Sequence, residues 1–218
     1  MGSEIAEAMV AIGAVGFRLH DPVTFKSGIK SPVYCDNRKF PYWPEQWEKI
    51  IRGFAGLVHE KGIVCDVVGG IEAAGIPHSA ALGFAMSKPS IFIRKEAKGY
   101  GAKKRVEGGE VAGKNVVLIE DLVTTGGSSL SAVWALRDEG AVVKDCLCII
   151  SYGFLEAQES FARAGVRLHA LTNFDAVLAV ALRKKMIDEA GAAVVQAWMS
   201  NPRGWHAPPT SGAQSIGE

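Results

Sequence analysis

The stretch "VVLIEDLVTTGGSS", residues 116–129, joins an apolar run to two adjacent carboxylates and then to a turn of threonine, glycine and serine. Val116 to Ile119 suit a buried strand, and Thr124, Thr125, Gly126, Gly127, Ser128 and Ser129 lead into a helical pattern carrying Leu130, Val133, Trp134 and Arg137. A glycine-bearing turn at a helix N-terminus presents unpaired backbone N–H groups and the positive end of the helix dipole, which together suit a phosphate. Glu120 and Asp121 cannot bind that anion, because like charges repel; they suit ribose hydroxyls or a hydrated Mg²⁺. A phosphate cradle beside a diol clamp describes a ribose 5-phosphate. Taken singly, a solvated strand end and an ordinary capped turn explain these residues equally well. Their order, directly off an apolar strand, favours the chemical reading.

Such a pair of features needs a sheet to deliver it. From Glu45 onward helical periods alternate with short apolar runs: helix 45–62, strand 65–70, helix 74–86, strand 90–94, strand 115–120, helix 126–140, strand 141–150, helix 155–165 and strand 166–171. This pattern predicts an α/β fold with a mostly parallel central sheet and helices on both faces. Ligands of such sheets sit beyond the carboxyl ends of the strands, so "GGIEAAG", "RKEAKGYG", "EDLVTTGGS" and "SYGF" are expected to form the lips of one site. Ahead of the sheet, "SEIAEAMVAIGA" reads as a surface helix with Ser3 as N-cap. The segment of about 14–43, rich in Gly, Pro, aromatic and basic residues, reads as short strands and turns covering the main body. Two helical patterns close the fold, giving one domain over 1–200, and the Pro/Gly/Ser-rich residues 201–218 are expected to be a flexible tail.

With 218 residues, 48% hydrophobic and 22% charged, the chain can bury a substantial core, which excludes disorder. A net charge of +1 gives no overall pull toward nucleic acid or a membrane surface, and neither is expected as a partner. Cys35, Cys65, Cys146 and Cys148 show neither a CxxC pair nor zinc spacing, so no protein metal site is expected; buried free thiols and a cytoplasmic location fit. No export signal or run of 18 apolar residues is present. "GGEVAGKN" matches G-x-x-x-x-G-K, but Asn115 and a strand follow where a Walker loop needs a helix.

Residues 116–129 closely resemble the signature of the type I phosphoribosyltransferases for 5-phosphoribosyl 1-diphosphate (PRPP). Two further segments resemble the orotate phosphoribosyltransferases: "FKSGIKSPVYCDNR", like the base-binding segment of that family, and "RKEAKGYG", like its mobile catalytic loop. With "GGIEAAGIP" the resemblance spans roughly residues 17–130 in order. It implies a type I phosphoribosyltransferase-like fold with a small N-terminal hood, acting on PRPP and orotate with Mg²⁺ held mainly through PRPP and water. By the same resemblance Glu120, Asp121, Leu122, Val123, Thr124, Thr125, Gly126, Gly127 and Ser128 hold the ribose 5-phosphate. Glu72, Ala73, Ala74 and Gly75 form the diphosphate turn. Arg94, Lys95, Lys98 and Tyr100 belong to the loop, which in the family acts across a dimer interface, implying a homodimer with shared sites. Lys26, Lys98 and Asp121 are the implied catalytic residues; Lys26, Tyr34, Cys35 and Thr124 line the base site, and Lys26 also reaches the diphosphate end of PRPP.

Elementary chemistry agrees. Loss of diphosphate builds oxocarbenium character on the ribose and charge on the leaving group, which Arg94, Lys95, Lys98, Lys103, Lys104 and Arg105 would stabilise; alone, that basic run also reads as an exposed loop or a nucleic-acid patch. One departure concerns the base. Orotate enzymes commonly carry Asp-Arg after the strand that here ends "CLCII", the arginine pairing with the base carboxylate, whereas this chain has "SYGF". Arg38 or Lys30 is expected to take that role, since a buried carboxylate needs a cationic partner. The competing functions are a phosphoribosyltransferase for another base, such as a purine, and a PRPP-sensing regulator that binds nucleic acid.

Overall fold

The computed structural model describes residues 2–25, 27–96 and 104–208. Its centre is a six-stranded sheet of order β10-β9-β8-β5-β6-β7, built from β5 (Val67–Ile71), β6 (Ser90–Ile93), β7 (Val106–Glu107), β8 (Asn115–Val123), β9 (Val142–Ser151) and β10 (Arg167–Asn173). All pairs are parallel except β6 with β7. The central strands read as continuous apolar runs because both of their faces are buried. Val117 and Ile119 of β8, with Leu147 and Ile149 of β9, join one core. Their alternates Val116, Leu118, Cys146 and Cys148 join the other.

The second core is closed by α4 (Gly127–Asp138) and α5 (Leu155–Arg163), which supply Ala132, Val133, Leu136 and Phe161. The first is closed by α1 (Gly2–Ala11), α2 (Pro44–Glu60), α3 (Gly75–Ala85), α6 (Phe174–Arg183) and α7 (Glu189–Ser200). Each fully buried Leu, Ile or Phe side chain there contributes roughly 1.5–3 kcal/mol of transfer free energy. Over this core lies the hood: β1 (Val15–Phe17) pairs with β4 (Val33–Cys35), β2 (Val23–Thr24) with β3 (Lys30–Ser31), and a 3-10 helix, Asn37–Tyr42, leads into α2. The Trp198 indole of α7 donates to the Lys30 carbonyl at 2.8 Å, tying the hood down from behind.

Two expectations change. The amino-terminal helix is not a surface helix: it begins at Gly2 with Ser3 inside its first turn, and it buries Ile5, Ala6, Ala8, Met9 and Val10 against α6 and β10. Strand β8 does not stop at Glu120 but runs through the acid pair to Val123, because β9 goes on pairing with it as far as Ser151. The start of the carboxyl-terminal segment lies against the body, with Trp205 packed on the core and Arg203 donating to Glu156 at 2.7 and 3.0 Å; residues 209–218 lie outside the described residues. "GGEVAGKN" is a turn into β8, with Gly108 at φ 105° and Gly113 at φ 71°. No helix among the described residues is long and apolar enough to cross a membrane.

Candidate active site

At the carboxyl ends of β5 and β8 a cavity of about 520 Å³ opens beneath the hood. The hood contributes Tyr34, Cys35 and Arg38 to its wall; the turn after β5 contributes Glu72, Ala73 and Ala74; β8 contributes Glu120, Asp121 and Leu122. Lys95 and Arg105 enter from the basic segment, and Ser128 and Ser131 from the start of α4.

Glycines set the positions of both turns. A Cβ at Gly75 would lie 2.3 Å from the Ile119 carbonyl oxygen, and one at Gly70 would lie 2.2 Å from the Ser79 hydroxyl, so the start of α3 packs directly on the strands that carry the site. Gly126 caps α4 at φ 82°, a conformation natural to glycine, and no capping side chain takes up the first N–H groups of the helix. They are left for a ligand at the end where the helix dipole is positive.

The acid pair is buried and crowded. Glu120 accepts from the Asp121 backbone N–H at 3.1 Å and, weakly, from the Ser129 hydroxyl at 3.5 Å. Burial, and then the neighbouring Asp121 carboxylate, push Glu120 well above the ordinary carboxylate range; burial also raises Asp121. Such groups gain from partners that donate hydrogen bonds or bring positive charge, which ribose hydroxyls and a hydrated divalent cation both do.

On the hood side, the Arg38 guanidinium donates from Nε to Asp36 at 2.6 Å and from Nη2 to the Tyr34 hydroxyl at 3.1 Å, while Nη1 has no partner among the described residues. Asp36 holds the guanidinium charged and oriented. Cys35 is a buried thiol, pushed up to about 12 mainly by burial, so it serves as packing surface and not as a nucleophile. Its Sγ receives the Tyr152 hydroxyl at 3.7 Å.

The ends of the basic segment are anchored. The backbone N–H of Lys95 donates to the Glu72 carboxylate at 2.9 Å, and Arg105 donates to the Arg94 carbonyl at 2.7 Å and to Ser131 at 2.9 and 3.1 Å. Glu72 therefore holds Lys95 as well as lining the cavity.

Of the residues singled out in the sequence, Tyr34, Cys35, Arg38, Glu72, Ala73, Ala74, Lys95, Arg105, Glu120, Asp121, Leu122 and Ser128 share the one cavity. Gly75 lies behind it against β8, Val123 is in the second core, and Arg94 pairs with Glu107 at 3.9 Å. Thr124, Thr125 and Gly126 form the turn and Gly127 begins α4; none of the four lines the cavity wall. Lys30 does not line it. Lys26, Lys98, Tyr100 and Lys103 lie outside the described residues.

"SYGF" is not a lip of this cavity. Tyr152 is 3% exposed, stacks on Phe154 (5.5 Å, 13°) and meets Trp198 edge-on at 5.2 Å. A larger space of about 820 Å³ opens on its other side, near Phe174 and Arg203. It has neither the acid pair nor a glycine-capped helix start, so chemistry and not size identifies the site. Ser131 and Asn37 were not singled out by sequence. Ser131 follows Ser128 by three on the same helix face, a usable signal; nothing in the "DNR" triplet marks Asn37.

An acid pair at the end of a parallel strand, a glycine-capped helix after it and a hood above it belong to the type I phosphoribosyltransferase fold. No family model matches the chain. It is 38% identical over 203 residues to the orotate phosphoribosyltransferase of Coxiella burnetii, covering 93% of this chain and 97% of that protein. It superposes on UMP synthase of Leishmania donovani with a TM-score of 0.80 at 27% identity, covering 91% of this chain and 42% of the longer one. On the orotate phosphoribosyltransferase of Aeropyrum pernix the TM-score is 0.71 at 29% identity, covering 84% and 98%. The chain belongs to the orotate phosphoribosyltransferase family.

Proposed function

We propose that this protein transfers the 5-phosphoribosyl group from PRPP to orotate, giving orotidine 5′-phosphate and diphosphate, a step of UMP synthesis. The observation that carries the reading is one cavity lined by a buried acid pair on one side and an oriented guanidinium on the other. N1 of orotate, giving up its proton to the departing diphosphate or to solvent, forms the new bond to C1′ of the ribose as the bond from C1′ to the diphosphate oxygen breaks. Glu120 and Asp121 accept from the ribose hydroxyls, and the N–H groups from Thr124 to Ser128 take the 5-phosphate. The turn at Glu72–Gly75, with Lys95, meets the diphosphate; by family resemblance Lys26, Lys98 and Tyr100 join them.

The described residues hold no cluster of three His, Cys, Asp or Glu side chains suited to a metal. One acid pair with Glu72 opposite fits a Mg²⁺ carried by PRPP and its waters, which would neutralise leaving-group charge. Arg38, with an unpaired edge and a pivot fixed by Asp36 and Tyr34, takes the orotate carboxylate. The chain works as one catalytic domain through residue 200, in a reducing cytoplasm that suits its four buried free thiols. It pairs as a homodimer, for which exposed Phe84, Tyr42 and Trp43 on the α2–α3 side offer apolar surface.

The decisive test is a base panel assayed with PRPP and Mg²⁺: consumption of orotate and not of uracil, adenine, hypoxanthine or guanine is expected, and turnover of another base in its place refutes the reading. Arg38→Ala should raise the KM for orotate by about 10-fold or more with little change in the KM for PRPP, whereas Lys30→Ala should change neither. Unaltered orotate kinetics in Arg38→Ala would remove the assignment. Asp121→Asn should lower kcat by about 100-fold while PRPP binding weakens far less, because the charge matters most as the oxocarbenium develops.

A further inference from the structure

Side chains of the hood segment 34–38 go to two destinations. Tyr34, Cys35 and Arg38 line the cavity, while Asn37, fully buried, turns inward and donates from Nδ2 to the backbone carbonyl of Asp121 at 3.0 Å, across 84 residues of sequence. The acceptor sits where β8 has lost one neighbour: pairing with β5 ends at Ile119 opposite Gly70, while pairing with β9 continues to Val123. The Asn37 Oδ1 atom is buried without a partner among the described residues. An apolar residue of the same volume would fill the space without that penalty, so the site uses the donor and not the bulk.

We infer that Asn37 is a positioning residue for the transfer, its amide being the strut that fixes the distance between the hood, which holds the base, and the strand end, which holds the ribose. The inference rests on the reaction proposed above. There N1 of the base must approach C1′ in line with the departing diphosphate, and a misplacement of about 1 Å can cost about 100-fold in rate. Tyr34 and Arg38 flank Asn37 closely in the chain, and Asp121 carries the ribose contact. The hydrogen bond therefore joins the two halves of the reacting pair by a short path.

Two substitutions separate donor from volume. Asn37→Leu keeps the bulk and removes the donor, so kcat is expected to fall by about 10- to 100-fold at every pH, with PRPP affinity measured by calorimetry within about threefold of the parent. Asn37→Asp keeps the shape and donates only when its carboxyl is protonated. Its kcat relative to the parent is expected to be near unity at acid pH and to fall by about 10-fold or more as the pH rises. The ratio cancels titrations common to both proteins, those of Asp36, Arg38, Cys35, Glu120 and Asp121 around the site.

Equal losses in the two variants at every pH would mean that the loss does not follow the donor, and parental kcat in Asn37→Leu would mean that Asn37 only fills space; either result removes the strut. If Asn37→Leu does not fold, the Asn37→Asp profile decides alone, a flat ratio overturning the inference. A parent protein that consumes no orotate refutes the proposed reaction and the strut with it. Failure of the strut alone leaves the parent's turnover intact.

Discussion

A proton is the least visible component of the site. Glu120 and Asp121 are both raised, chiefly by burial, so without ligand the pair keeps a proton at pH values where solvated carboxyls have lost theirs. The unfolded chain ionises these groups at about 4, so between there and their raised folded values the folded state binds more protons and stability falls as pH rises. Ribose hydroxyls and an accompanying cation favour the charged form. PRPP·Mg²⁺ binding is therefore expected to release a proton and to tighten with rising pH; calorimetry in two buffers of different ionisation enthalpy measures it, and proton uptake would contradict the assignment.

His78 works in the opposite direction. It is fully buried, accepts from the Trp47 indole at 2.9 Å through Nδ1, and is lowered to about 4 by burial. With Nδ1 accepting, the neutral ring carries its proton on Nε2. Unfolded histidine takes up a proton near 6.5, so stability is lost as pH falls from there to about 4, by up to about 3 kcal/mol. Denaturant titrations at pH 7 and pH 4.5 should show a smaller acid loss in His78→Asn than in the parent.

At the scale of elements, the site depends on α3 lying almost in contact with β8. Gly75→Ala places a methyl 2.3 Å from the Ile119 carbonyl, an overlap with backbone that no rotamer relieves. A loss of about 1–3 kcal/mol in thermal or denaturant unfolding is expected, together with a raised KM for PRPP as the turn shifts. Wild-type stability in this variant would mean that α3 can move aside. The same scale shows what the sequence made legible. Helices and strands with one buried stripe or two apolar faces were readable, because period and burial coincide there: Val116 to Ile119 alternate between two cores and read as one run. The continuation of β8 to Val123 was not, since carboxylates suggest a strand end and only the length of β9 reveals the pairing. Local pattern also does not tell which face of α1 meets α6, a contact made across the whole chain. Within the site, the motif residues 120–128 were readable in order; the strut from Asn37 depends on a contact 84 residues away.

Across the whole molecule, the hood is held at several points: by Trp198 on Lys30, by Asn37 on Asp121 and by Tyr152 on Cys35. The Arg203–Glu156 pair behind it is about half exposed on both sides, so Arg203→Ala should cost less than about 1 kcal/mol in denaturant unfolding and leave the KM for orotate unchanged. Tyr152 is different. It stands where the family resemblance implies the arginine of Asp-Arg, yet its ring is enclosed by Phe25, Phe154, Phe174 and Trp198. A guanidinium placed there would meet aromatic faces and a neutral thiol, with none of the hydrogen-bonded carboxylate contacts that a buried cation needs. The single exchange Tyr152→Arg should thus destabilise the fold by roughly 3–5 kcal/mol without restoring a carboxylate reader. The aromatic cluster of Phe25, Phe154, Phe174 and Trp198 would have to be dismantled before an arginine could be seated at position 152.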